Sequence, residues 1–139
     1  MHEIRDRWFE PAQSLRGKFV YIAGPMRGIP GYNFPAFNER ARILRSLGFS
    51  VANPAETSDD IVPERDWNWE TLDVKEEHIQ AFLKVDFACV LSSDFVMVLP
   101  NWWISKGARA EVFVAQQAGV KVVDTHFVEV THKMKAYLE

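Results

Sequence analysis

Two stretches, Lys18-Phe-Val-Tyr-Ile-Ala-Gly24 and Asp94-Phe-Val-Met-Val-Leu99, are apolar at almost every position. Each is too short for a buried helix, and glycine or proline closes it. That is the signature of strands covered on both faces. Between and after them the period changes to that of a helix. Phe37, Ala41, Leu44 and Leu47 recur at helical spacing from Phe34 to Leu47, and Gly48 is a natural stop. Phe49-Ser-Val-Ala52 reads as a second strand. Leu72 to Leu91 is helical by period, as is Lys106 to Ala118, and Val120-Lys-Val-Val123 reads as a fourth strand.

Strand and helix in alternation predict an α/β fold: one open parallel sheet of order 2-1-3-4, flavodoxin- or Rossmann-like, with helices on both faces. In such a sheet a ligand lies outside the carboxyl ends of the strands where the winding reverses, here between strands one and three. Two loops flank that crevice, Pro25 to Asn33 and Pro100 to Ser105. The polar segment from Asn53 to Glu70 is expected to be a long loop. Residues 1–17 are expected to form an arm before the domain of residues 18–124. The tail, residues 125–139, is expected to carry one short helix.

Composition narrows the partners. The 139 residues carry 16 basic and 19 acidic side chains, a net charge of −3. A nucleic-acid binder needs a basic face, so no nucleic-acid partner is expected. Cys89 is the single cysteine, which excludes a disulfide framework. His2, His78, His126 and His132 have no ligand spacing, so neither a metal nor another cofactor is expected. No apolar run approaches the ~18 residues of a membrane span, and the polar N-terminus is unlike a secretory signal, so a cytoplasmic location is expected.

The first loop carries Gly24, Arg27, Gly28 and Gly31. Glycines let backbone N–H groups approach an anion, and arginine adds a fork of donors; the bland alternative is a tight turn with a solvated arginine. The spacing matches neither a dinucleotide fingerprint nor a nucleoside-triphosphate loop. The second loop leads into Ser105-Lys106-Gly107-Ala108-Arg109-Ala110-Glu111, where Ser105 is a natural N-cap and the helix start a potential anion site. Glu111 alone reads more simply as a glutamate on a helix surface. Asp86 interrupts an apolar stretch, either beside Lys84 on the polar face or turned toward the crevice. Asp94 reads as an anchor for the loop before strand three. Tyr21 can pack in the core while its hydroxyl reaches a polar partner. Cys89 reads as core. Trp67, Trp69, Trp102 and Trp103 could stack a base or serve as core or oligomer contacts.

Together, Tyr21-Ile-Ala-Gly-Pro-Met-Arg-Gly28, Asp86 followed by Asp94, and Ser105-x-Gly107-x-x-x-Glu111 resemble the nucleoside 2-deoxyribosyltransferase-like superfamily, over about three quarters of the chain. The phrasing is similar to its small phage- and prophage-borne members. The resemblance implies a glutamate that attacks the anomeric carbon of a nucleoside or nucleotide and expels the base. Glu111 matches that nucleophile, Asp86 the acid serving the departing base, and Tyr21 the tyrosine that orients the glutamate. Gly24, Met26, Arg27, Gly28, Ser105, Lys106, Gly107 and Arg109 match the substrate- and phosphate-binding positions. Ser105 stands where transferases acting on free nucleosides tend to carry an aspartate, which is similar to the 2′-deoxynucleoside 5′-phosphate N-hydrolases. Pro25 and Phe113 depart from the pattern, which has serine and glycine there. The resemblance also implies a homo-oligomer, with Trp8, Phe9, Phe127 and Tyr137 covered by a second subunit. A deoxyribosyltransferase and a non-catalytic nucleotide-binding protein are the alternatives.

Overall fold

The computed structural model describes residues 17–61 and 76–134. Four strands, β1 (Phe19–Ala23), β2 (Ser50–Ala52), β3 (Phe95–Val98) and β4 (Lys121–Val123), form one parallel sheet of order β2-β1-β3-β4. Tyr21 pairs with Ala52 on one side and Val96 on the other. Four helices cover the sheet: α1 (Phe34–Ser46), α2 (Pro54–Ile61), α3 (Glu76–Ser92) and α4 (Lys106–Gln117). The order is the one expected from the alternation of apolar runs and helical periods.

The two-residue period of the strands separates two cores. Val20 and Ile22 of β1 join Phe95 and Met97 of β3 against Phe37, Ala41 and Leu44 of α1. Tyr21 and Ala23 join Val96 and Val98 on the opposite face, with Val90 of α3 and Val112 and Ala115 of α4. Leu47, the last residue of the expected α1 stripe, is exposed instead. Leading into β3, Asp94 Oδ2 accepts from the Phe19 N–H at 2.7 Å, and the Asp94 N–H donates to the Phe19 carbonyl at 2.8 Å. Asp94 therefore anchors the start of β1 against β3.

Three expectations need correction. The segment after β2 is not a loop throughout, because α2 starts at Pro54. Asn53 Oδ1 accepts from the Ala55 N–H at 3.0 Å, Pro54 brings a helix-compatible φ, and Glu56 stands in the first turn. Residues 62–75, with Trp67 and Trp69, lie outside the described residues, as do Trp8, Phe9 and Tyr137. The described part of the tail is not helical. It turns at Asp124, whose carboxylate accepts from the N–H groups of His126 and Val128, and it returns as an antiparallel bridge from Glu129 to Val123. The tail also covers its own domain: Phe127 stacks on Phe49 with ring centroids 6.1 Å apart, so this residue does not wait for a second subunit.

Candidate active site

The loop after β1 is built for a close approach. A Cβ on Gly24 would stand 2.9 Å from the Leu99 Cβ, just beyond β3. Gly28 takes φ +79°, and Gly31, Tyr32 and Asn33 follow in the left-handed region at 64°, 55° and 60°. The Asn33 amide donates to the Pro25 carbonyl at 2.9 Å and closes the loop on itself. Arg27 and Gly28 are exposed, and Met26 is half-buried against the α1-side core.

The opposite wall begins at Asn101, also left-handed at φ 64°, and runs through a 3-10 turn, Trp102–Ile104. Trp102 packs on the α3–α4 core, while Trp103 meets it edge-on and stays largely exposed. Ser105 then caps α4, accepting from the Ala108 N–H at 3.1 Å. This bond uses a lone pair of Oγ, so the hydroxyl proton stays available to a ligand. Lys106 and Gly107 are exposed.

Between these walls Tyr21, Asp86 and Glu111 come together. Ala108, Glu111, Val112 and Ala115 share the buried face of α4, which turns Glu111 toward β1. It is only 7% exposed, so the surface reading of this residue is wrong. The hydroxyl of Tyr21, itself 1% exposed, donates to Glu111 Oε2. Asp86, half-buried on α3, lies near enough for its charge to act on both Tyr21 and Glu111, so it belongs to the crevice side. Cys89, one turn along α3, feels the charges of both Asp86 and Glu111. Its spacing of three from Asp86 was the available signal that it belongs beside the carboxylates and not simply in the core.

Burial dominates the electrostatics. It pushes the Asp86 carboxyl up to about 7, against the hydrogen bond from Tyr21. It also holds Glu111 well above the ordinary carboxylate range; the charge of Asp86 adds to this, and the Tyr21 hydrogen bond opposes it. The place of Glu111 in the first half of α4, with Lys106 and Arg109 in the same helix, does not outweigh this burial. Arg109 and Glu111 are two positions apart, about 200° around a helix, so they do not share a face. Arg109 is half-buried, and its Nε has no hydrogen-bond partner among the described residues. Burial likewise raises the Tyr21 phenol, followed by the charges of Glu111 and Asp86, and keeps it neutral.

Fold and site thus define a doubly wound α/β protein with a buried tyrosine–carboxylate group below its central crevice. The chain belongs to the family of the domain of unknown function DUF4406, whose model matches residues 18–124. No curated protein matches it. Among solved structures it is similar to a 2-deoxyribosyltransferase from the psychrotolerant bacterium Bacillus psychrosaccharolyticus, with 19% identity and a TM-score of 0.58 over 76% of this chain and 70% of that one. The likeness shows a shared fold. Among the described residues, no helix is long and apolar enough to cross a membrane.

Proposed function

We propose that the protein cleaves the N-glycosidic bond of a 2′-deoxynucleoside 5′-monophosphate. The observation that carries this reading is the buried hydrogen bond from Tyr21 to Glu111, with the charge of Asp86 acting on both. A surface glutamate would need no such support. In the reaction a Glu111 oxygen attacks C1′ as the bond from C1′ to the base nitrogen breaks. Asp86 gives its proton to the departing base, whose nitrogen takes the bonding electrons. The sugar passes through an oxocarbenium-like state that the carboxylate stabilises and then traps as a glycosyl ester. Water then attacks C1′, Asp86 accepts its proton, and Glu111 is released. The products are free base and 2-deoxyribose 5-phosphate.

A phosphate fits the crevice wall. Ser105 Oγ has a proton to donate at a helix start, Lys106 is beside it, and Arg27 and Gly28 are exposed on the facing loop. Among the described residues Arg27, Lys106 and Arg109 form no ion pair. A second reading, transfer of deoxyribose to another base, is favoured by the fold shared with a 2-deoxyribosyltransferase. Incubation with deoxynucleotides and deoxynucleosides, with and without an acceptor base, separates the readings. Base release without acceptor supports hydrolysis, and exchange only with acceptor supports transfer. Binding without product would leave a nucleotide-binding protein. Rapid quenching followed by mass spectrometry should find the sugar phosphate on Glu111.

A further inference from the structure

We propose that Asn33 is a positioning residue for the substrate phosphate: its hold on the Pro25 carbonyl fixes the turn that carries Arg27 and Gly28. The inference rests on the monophosphate reading above and adds to it the residue that sets the shape of the facing loop. Its ground is the hydrogen bond from Asn33 Nδ2 to the Pro25 carbonyl, 2.9 Å long and spanning eight positions of the chain.

The backbone that delivers this amide is strained. The Phe34 N–H donates to the Gly31 carbonyl, and between them stand Tyr32 at φ 55°, ψ 26° and Asn33 at φ 60°, ψ 15°. These are the angles of a type I′ turn, whose centre favours Asn-Gly. A side chain as bulky as tyrosine rarely takes positive φ. Asn33 is also the N-cap of α1, and asparagine is among the best capping residues, yet its side chain makes no capping bond. The amide turns back to Pro25 instead. Such strain persists only where the surroundings enforce it, and it gathers at functional sites.

The bond serves a buried group. Pro25 is buried and directly follows Gly24, the residue pressed against Leu99. A buried carbonyl without a donor is destabilising, so the loop must keep this bond or rearrange. Beyond Pro25 the chain turns twice. The Ile29 N–H donates to the Met26 carbonyl at 3.4 Å, and the Tyr32 N–H to the Ile29 carbonyl at 2.9 Å. Arg27 and Gly28 form the centre of the first turn, with Gly28 at φ +79°. Its closing bond is long, and neither backbone bond reaches Pro25. The Asn33 amide ties the far end of the loop to its buried start. It thereby holds the exposed Arg27–Gly28 turn in place before a ligand arrives, which lowers the ordering cost of binding.

The test uses Asn33→Gly and Asn33→Asp. Glycine accepts positive φ more readily than asparagine, so the first variant removes the amide while easing the backbone. Aspartate keeps the shape and tolerates the left-handed region, but its carboxylate cannot donate to a carbonyl. In both variants KM for a 2′-deoxynucleoside 5′-monophosphate should rise roughly three- to tenfold, the population effect of losing one hydrogen bond. The kcat at saturation should stay within about twofold, because bound phosphate draws the loop back into place. KM for the matching nucleoside, which has no phosphate to grip, should not move. Hydrogen exchange at the Tyr32 amide should quicken in the free variants and slow again under saturating monophosphate. Equal KM changes for nucleotide and nucleoside, or a fall in kcat that follows a fall in Tm, would reduce Asn33 to a structural role and overturn the proposal. An Asn33→Asp protein with wild-type KM and exchange would overturn it as well, because the donor would then be dispensable. Wild type that neither binds nor cleaves a monophosphate would instead remove the monophosphate reading, and the proposal with it.

Discussion

Gly24 and Leu99 sit so close that the Cβ of any other residue at position 24 would lie 2.9 Å from the Leu99 Cβ. The contact joins the ends of β1 and β3, where the Leu99 N–H donates to the Ala23 carbonyl at 2.8 Å. Gly24→Ala should therefore destabilise the fold by about 1–3 kcal/mol, the usual cost of overpacking. Adding Leu99→Ala should recover part of this loss in urea denaturation. If the double variant shows only the sum of the two single losses, steric crowding is not the cause.

Ser105→Ala removes the cap of α4 and should cost about 1 kcal/mol of stability. Ser105→Asp keeps a good cap but places a negative charge at the proposed phosphate site. It should melt near wild type while KM rises for a monophosphate and not for the nucleoside. An equal change for both substrates would remove Ser105 from phosphate binding.

Arg27 is exposed and makes no ion pair among the described residues, so Arg27→Ala should leave thermal stability within about 0.5 kcal/mol. If it grips phosphate, KM for the monophosphate should rise roughly ten- to a hundredfold, as for a lost charged hydrogen bond of about 1.5–3 kcal/mol. Kinetics on nucleotide and nucleoside side by side decide between this and a merely solvated arginine.

Asp86 should oppose folding as the pH rises. Its carboxyl moves from 3.8 to about 7 on burial, so the folded state holds a proton that the unfolded chain releases. Below about pH 4 both states are protonated and there is no penalty. Stability then falls as pH climbs toward 7, by about 2–4 kcal/mol with partial solvation allowed for. Asp86→Asn should raise Tm at about pH 8 and leave it nearly unchanged at about pH 4. Glu111→Gln should act in the same direction, because its carboxyl is also raised. In turnover, Asp86→Asn should lose about 10²–10⁴ on ordinary substrates and recover with a better leaving base. Glu111→Gln should be inactive with both while still binding ligand.

The frame of the sheet was legible because buried parallel strands are apolar at nearly every position, as β1 and β3 are. The Ser105 cap was legible from residue type alone. Other features depend on distant partners. Glu111 stands among Ala, Val and Phe in a helix whose face is set by tertiary packing, and its partner Tyr21 lies 90 positions away. Nothing local distinguishes it from a solvated glutamate. The start of α2 was missed because Asn-Pro reads as a turn, while here Asn53 is fixed by Asn38 at 2.9 Å and then caps the helix. The turn at Asp124 gives no periodic signal, because it is held by the Asp124 side chain and by packing of Phe127.

Gln116 gives the tail a second role. Its amide donates to the His132 carbonyl at 3.0 Å, and its side-chain oxygen accepts from the Met134 N–H at 2.8 Å. The helix that positions Glu111 is thus clasped from outside by ten residues that fall after the end of the family match. A gene fragment cut at position 124 would express the whole sheet and every proposed catalytic group. It would still unclip the rear of the catalytic helix and expose the Val122 edge of the core. The working unit of this protein extends beyond the stretch by which its relatives are recognised.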